Sequence, residues 1–427
     1  MKFQCYTLGC KVNQYETQAM EQMLFALGHE AGTEDCDIYI INTCTVTAVA
    51  DRKNRTLIHR LRREHPDSVI AVCGCYSQLN EEPVRQMGVD VIGGSGKREE
   101  FISLLLQAAE DRSEARSCVD QALKRRSFEQ LPAGGLSHRT RAMLKVQDGC
   151  NNFCSYCIIP YARGPVRSLP LEEAVAQARQ LKAQGYLEIV ITGIEIASWG
   201  WDLKDGSCIT DLIEAICRAV PGVRIRLGSL EPRVVDEDFC RRLSLCENLC
   251  PQFHLSLQSG SDGVLKRMRR KYSAQRYYES VCLLNRYFSG CAITTDLIVG
   301  FPGETEAELQ ESLDFCQKCG FAAMHIFPYS RRSGTPAADM KEQVSKGDKT
   351  HRSVRAAEVA RSLQENYHRA LVGTTQEVLF EQEEQGFFTG HMKNGTKVYA
   401  KGEALHNALR SVRITALCAD GVEAELL

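Results

Sequence analysis

Three cysteines lie close together in the segment Gly149-Cys150-Asn151-Asn152-Phe153-Cys154-Ser155-Tyr156-Cys157. Thiolate is a soft ligand, and three thiolates on one short loop can hold three irons of a [4Fe–4S] cube, leaving the fourth iron open. A zinc knuckle, or three simply buried thiols, would use the same residue types. Zinc in a structural site needs a fourth protein ligand, and none follows Cys157 at a suitable spacing. The loop therefore reads as an iron–sulfur site with one coordination position free for a cofactor.

Three more cysteines share a position rather than a motif. Cys10 lies in Leu8-Gly9-Cys10-Lys11-Val12-Asn13, Cys44 in Ile41-Asn42-Thr43-Cys44-Thr45, and Cys75 in Cys73-Gly74-Cys75-Tyr76-Ser77-Gln78. Each follows a strand-like run. In an open parallel sheet the carboxyl ends of neighbouring strands lie together, and ligands bind there. Cys73 competes with Cys75, because alternation along a strand sends both to one face. Gly74 lets the chain turn beside Cys75, so the later residue is better placed at the edge.

The elements that must position these groups follow from hydrophobic periodicity. Strand-like runs at Phe3–Leu8, Ile38–Ile41, Val69–Val72 and Val89–Ile92 alternate with helix-like stretches at Gln14–Leu27, Val49–Arg63 and Glu81–Met87. That alternation predicts an open parallel α/β sheet over residues 1–110. Residues 111–140 turn polar and irregular and are expected to form a linker. Strand-like runs resume at Met143–Val146, Leu187–Ile191, Val223–Leu227, Phe253–Leu257, Ile293–Val299 and Ala322–Phe327, with helices such as Leu171–Ala183, Thr210–Val220 and Glu306–Cys319 between them. Six such units predict a six-stranded partial β/α barrel with its function at the carboxyl ends of the strands. With the helical stretch Lys346–Leu371 it fills residues 141–372. The remainder, 373–427, carries hairpin signals at Asn394-Gly395 and Asp420-Gly421 and reads as a small antiparallel β-barrel.

Composition sets outer limits. A chain of 427 residues exceeds one compact core. Its 44% apolar and 25% charged content is that of an ordinary globular protein. No apolar run is long enough to span a bilayer, and Met1-Lys2-Phe3-Gln4 opens directly into a strand pattern without signal-peptide architecture. A cytoplasmic location is expected. Twenty cysteines in a reducing compartment point to ligation or burial rather than disulfides. A net charge of −2 confines any RNA-binding surface to a local patch.

The cysteine loop, with an aromatic residue before its third cysteine, resembles the signature of the radical S-adenosylmethionine superfamily. Leu8-Gly9-Cys10-Lys11-Val12-Asn13-Gln14-Tyr15-Glu16-Thr17, the Asn42-Thr43-Cys44-Thr45-Val46-Thr47 turn and the Gly74-Cys75 turn together resemble the methylthiotransferase family over nearly the whole chain. The resemblance implies two [4Fe–4S] clusters, on Cys150, Cys154 and Cys157 and on Cys10, Cys44 and Cys75. It favours Cys75 over Cys73, since the family's third cysteine directly follows a glycine. It also implies S-adenosyl-L-methionine as cofactor, an electron donor, a sulfur source, and replacement of a C–H bond by C–SCH₃. Tyr156, Gly193, Glu195, Ser229, Glu231 and Gln258 fall where the superfamily contacts this cofactor. Glu195 stands where histidine or asparagine is usual.

Within the family, the run after Cys10 and the segments Leu257-Gln258-Ser259-Gly260-Ser261 and Lys266–Tyr272 resemble the branch acting on threonylcarbamoyladenosine beside the tRNA anticodon. The alternatives are the isopentenyladenosine branch and the branch modifying a ribosomal-protein side chain. A reading of another class is a non-catalytic iron–sulfur or zinc RNA-binding protein. For grip on tRNA the candidates are Lys266, Arg267, Arg269, Arg270 and Lys271, five cations within six residues, with Arg163 and Arg167 beside the cysteine loop. The last 55 residues, resembling a TRAM domain, hold five Lys/Arg against eight Asp/Glu.

Overall fold

The runs Ile38–Thr43 and Val69–Gly74 are buried at every position, as central strands covered by helices on both faces must be. In the computed structural model, which describes residues 1–135 and 140–427, they sit at the centre of a six-stranded parallel sheet. Its spatial order is Glu30–Ala31, Lys2–Thr7, Ile38–Thr43, Val69–Gly74, Val91–Ile92 and Arg116–Ser117. One face packs Phe3, Ile38, Ile40 and Ala71 under Met20 and Leu24 of helix Lys11–Ala26 and Phe101 and Leu105 of helix Arg98–Glu110. The other packs Tyr39, Ile41, Ile70 and Val72 under Ile58 and Leu61 of helix Ala48–Glu64. Pairing of Thr7 with Asn42 and of Thr43 with Gly74 levels the carboxyl ends of three neighbouring strands. Cys10, Cys44 and Cys75 leave the sheet from those ends.

The described part of the expected linker, residues 111–135 and 140, is packed, and residues 136–139 lie outside the described residues. Arg116–Ser117 supplies the sheet's last strand, pairing with Val91–Ile92, and Leu131 and Ala133 enter the core of the next region. Two-residue strands are too short for periodicity to reveal.

The central region has its six parallel strands in chain order, with the third broken at Gly228. Arg224–Leu227 pairs with Glu188–Thr192, which pairs with Arg141–Lys145. Past the glycine, Ser229–Leu230 pairs with Gln252–Leu255, which is followed by Ala292–Val299 and Ala323–Pro328. Alternate residues, including Leu144, Ile191, Leu227, Leu255, Leu297 and Val299, pack outward against the helices. The opposite set on the same strands is mostly polar, with Lys145, Glu188, Thr192, Arg226, His254, Thr294, Asp296 and His325 among the apolar Met143, Val190 and Ile298. The barrel interior is thus a polar chamber.

Helix Lys346–Arg369 packs along the last barrel strand and leads into a closed five-stranded barrel. Its strands run antiparallel except where Lys397–Ala400 meets Gly421–Leu426 in parallel. The acidic excess of this barrel meets basic residues of the central strands. Arg141 pairs with Glu381 (2.9 Å) and Arg224 with Glu377 (2.9 Å), while Arg226 donates to the Lys393 carbonyl (3.0 Å). No helix among the described residues is long and apolar enough to cross a membrane.

Candidate functional site

Tight turns bring the three scattered cysteines together. Gly9 has φ +130°, and a Cβ there would lie 2.8 Å from the Cβ of Cys44. Gly74 has φ +106°, and a Cβ there would meet the Thr43 carbonyl at 2.4 Å. Only glycine fits both positions. Asn13 ties the first two loops: Cys10 Sγ donates to its Oδ1 (3.3 Å), and its Nδ2 donates to Asn42 Oδ1 and to the Thr43 carbonyl (both 3.0 Å). Burial pushes the Cys75 thiol up to about 12; Arg163 opposes this, and the neighbouring Cys44 and Cys10 reinforce it. Cys73 instead packs with Phe3, Ile38 and Phe101 in the apolar core.

A buried charge network surrounds Cys75. Arg163 donates through Nε to Cys75 Sγ (3.2 Å) and pairs with Glu16 through both terminal nitrogens and with Asp148 (3.5 Å). Lys145 pairs with Glu16 (3.0 Å) and Asp148 (2.8 Å), Arg98 with Glu16 (2.8 Å), and Arg167 with Asp148 (3.4 Å). All six are buried. Burial alone would raise the Glu16 carboxyl, but Arg163, Lys145 and Arg98 hold it well below the usual range. Four cations face two carboxylates here, with half-buried Glu129 the next acid along. An uncompensated buried charge is costly. An anionic metal–thiolate group on Cys10, Cys44 and Cys75 would balance this excess, so the residues fit such a cluster.

The other triad sits on a loop that glycine also permits. Gly149 has φ +75°, and a Cβ there would strike the Pro165 carbonyl at 1.9 Å. The Cys150 amide donates to the Gly164 carbonyl and the Cys157 amide to that of Cys154, both at 3.0 Å. Burial pushes the Cys150 and Cys157 thiols up to about 12. Thiols that resist ionisation are weak nucleophiles, whereas a metal deprotonates its thiol ligands outright; the loop suits ligation. Arg270 donates to Cys154 Sγ (3.3 Å), lies 4.8 Å over the Tyr272 ring and bonds its hydroxyl (3.1 Å).

A cavity opens beside these thiols. Its walls include Tyr156, Glu195, Ser229, Glu231 and Gln258, together with Ser256 and Arg270. Tyr156 comes from the cysteine loop; Glu195, Ser229, Glu231, Ser256 and Gln258 come from successive barrel strands at or beyond their carboxyl ends. Gly193 is not in the wall: it lets its loop approach Gln147, where a Cβ would lie 2.9 Å from the carbonyl, and Gln147 accepts the Glu195 amide (2.8 Å). Burial, then the nearby Glu231 carboxylate, raises Glu195 to about 7.

Four of the seven cations expected to grip RNA are committed elsewhere. Arg163 and Arg167 are buried in the network around Cys75, Arg270 lies on Cys154, and Arg267 pairs with Glu308 (2.7 Å). Lys266, Arg269 and Lys271 remain exposed. Composition revealed the charges but not the buried acceptors that claim them. Sequence reasoning also missed the inward-facing His254, Asp296 and His325, whose ligand atoms lie within 4.8 Å of one another. His254 contacts Asp296 (3.3 Å) and Thr294 (3.0 Å). Polar residues alternating along strands expected to be apolar were the available signal.

Comparison with known proteins is consistent with this geometry. Residues 144–316 match the radical SAM superfamily, and residues 2–94 match the uncharacterized protein family UPF0004. The chain is 41% identical over 406 residues to the threonylcarbamoyladenosine tRNA methylthiotransferase MtaB of Bacillus subtilis, covering 93% of this chain and 90% of that protein. It is 33% identical to the tRNA-2-methylthio-N(6)-dimethylallyladenosine synthase of Acetivibrio thermocellus, covering 96% and 87%. Among solved structures, the radical S-adenosylmethionine methyltransferase TsrM of Kitasatospora setae shares the fold, with a TM-score of 0.56 at 16% identity over 79% of this chain and 77% of that one. With relatives this similar along nearly its whole length, the chain belongs to the methylthiotransferase family of radical S-adenosylmethionine enzymes.

Proposed function

We propose that this protein converts threonylcarbamoyladenosine beside a tRNA anticodon to its 2-methylthio derivative, replacing C–H with C–SCH₃, in the cytoplasm. The observation that carries the reading is the joining of two three-thiol sites through Arg163. This residue closes the short helix after Cys157 and reaches Cys75 at 3.2 Å. The substrate is drawn from the relatives named for that nucleoside, MtaB of Bacillus subtilis among them.

Cys150, Cys154 and Cys157 would hold one [4Fe–4S] cluster, and Cys10, Cys44 and Cys75 the other. Bound there, the clusters and S-adenosyl-L-methionine would supply the radical, methyl and sulfur chemistry that no side chain provides. Tyr156, Glu195, Ser229, Glu231 and Gln258 wall the cavity beside the first triad. There the Glu231 carboxylate, already paired with Arg233 (2.8 Å), places negative charge where a cationic cofactor would sit, and Leu230 and Ile194 add apolar wall. Arg270 donates to Cys154 Sγ and Arg163 to Cys75 Sγ, so each places a positive charge beside a thiol that would ligate a cluster. The target base must be splayed from its loop to enter such a site. A one-electron reductant and a sulfur source complete the reaction.

Mass spectrometry of tRNA nucleosides from cells with and without the gene tests this. Loss of methylthiolated threonylcarbamoyladenosine alone is expected. Loss of the isopentenyl derivative instead would move the protein to the sister branch. An unchanged nucleoside profile with a ribosomal protein altered would assign it to the protein-modifying branch. About one zinc and no iron in anaerobically purified protein would exclude the enzyme reading.

A further inference from the structure

A second cavity, of about 780 Å³, lies where helix Lys11–Ala26 begins, beside barrel strands Arg141–Lys145, Glu188–Thr192 and Arg224–Leu227 and against the carboxyl-terminal barrel. Three cations line it: Lys11, Arg141 and Arg226. Two are neutralised. Arg226 bonds Glu188 through two nitrogens (2.6 and 3.0 Å), and Arg141 pairs with Glu381 (2.9 Å). Lys11 has no ion pair or hydrogen bond among the described residues, and Glu383 on the same wall is not within ion-pair distance of it. Of the three cations, only the Lys11 ammonium is therefore left to receive an additional anion entering the cavity. Met143, Val190 and Phe388 give the same cavity an apolar wall suited to a base.

Resting on the substrate reading above, we propose that Lys11 determines specificity: its ammonium pairs with the carboxylate of the threonylcarbamoyl side chain. Lys11 directly follows the ligand Cys10, so this contact would hold the modified base beside the second triad. An isopentenyl group has no charge and, on filling the cavity, would cover the Lys11 ammonium without pairing it, which discriminates against it. An RNA phosphate could present the same anionic chemistry, and the two sources are separable by experiment.

The test uses full-length, cluster-loaded enzyme and an anticodon stem-loop carrying threonylcarbamoyladenosine, either as the free acid or as its neutral methyl ester. Lys11→Gln should lower kcat/KM on the acid by about ten- to a hundredfold, the range of a charge-assisted hydrogen bond, chiefly through KM. On the ester, Lys11→Gln and wild type should be alike, and Lys11→Arg should recover most activity on the acid. Equal weakening on acid and ester, with a shallower salt dependence, would assign the contact to phosphate and overturn the proposal. An unchanged kcat/KM on the acid would overturn it outright. Should Lys11→Gln lose iron, wild type alone still decides, because an ester as good a substrate as the acid removes the carboxylate contact. A wild-type enzyme active only on the isopentenyladenosine stem-loop would instead fail the substrate reading itself.

Discussion

The two cysteine triads gather three thiols by opposite routes. Cys150, Cys154 and Cys157 span eight residues of one loop; Cys10, Cys44 and Cys75 span 66 and meet only where three strands end side by side. Each triad has an arginine donating to one thiol, yet the settings differ. Arg163 is embedded between the carboxylates Glu16 and Asp148, whereas Arg270 leans on the Tyr272 ring with no carboxylate partner among the described residues. A local loop can form its site with little help. A site assembled from distant turns needs a rigid floor, and the buried Glu16–Arg163–Asp148 network provides one.

Removing a ligand from each triad should produce the largest contrast. Cys150→Ala should abolish formation of 5′-deoxyadenosine from S-adenosyl-L-methionine and, with it, all product. Cys10→Ala should still cleave the cofactor but make no methylthiolated nucleoside. In each variant iron should fall from roughly eight to roughly four per chain. Product from Cys10→Ala would break the comparison, because the scattered triad would then be structural.

The arginines separate the two settings by stability. Arg163→Met breaks buried pairs to Glu16 and Asp148 that Lys145, Arg98 and Arg167 still partly serve, a loss of about 3 kcal/mol, the lower end for a broken buried pair. Arg270→Met removes a thiol contact and a cation–π contact but strands no acid, and should cost about 1–2 kcal/mol. Urea denaturation of the metal-free proteins measures both. Equal midpoints would mean that the floor under the scattered triad carries no special load.

The sequence disclosed the six cysteines because glycine turns and strand ends are written in residue type. It disclosed the sheet and the barrel because alternating β and α periods survive without tertiary context. Arg163 and Arg270 were misread as RNA contacts because a charge in sequence carries no record of its burial. Phosphate contact and thiol contact require the same guanidinium. The polar chamber around His254 and Asp296 escaped for a related reason: a run identified as a strand hides an inward polar row unless its alternation is weighed residue by residue.

Acid–base behaviour provides a finer test of the local site. Glu195 is raised to about 7, by burial first and then by Glu231. The native state therefore binds this proton more tightly than the unfolded chain does. Its contribution is fully present below about pH 4.5 and is lost as pH rises through 7, a change of up to about 3 kcal/mol. Glu195→Gln lacks this term. Metal-free wild type and variant should melt alike at pH 5, and the variant should melt higher at pH 8. Parallel melting curves across that range would show that Glu195 is solvated in the absence of the cofactor.

The smallest effect bears on the scattered triad's most ambiguous member. Cys73 and Cys75 are two residues apart, but Gly74, at φ +106°, turns the chain between them. Cys73 stays in the apolar layer with Phe3 and Phe101, while Cys75 starts the helix Cys75–Leu79 and meets Arg163. Replacing Cys73 by alanine removes one buried sulfur from a packed core, a loss of about 1 kcal/mol. Iron should stay near eight per chain and methylthio transfer should persist. Cys75→Ala should behave like Cys10→Ala, losing about four irons. If Cys73→Ala lost the iron instead, the turn at Gly74 would have to open and exchange the two thiols. The Cβ limit of 2.4 Å against the Thr43 carbonyl would then describe only one of two states of that loop.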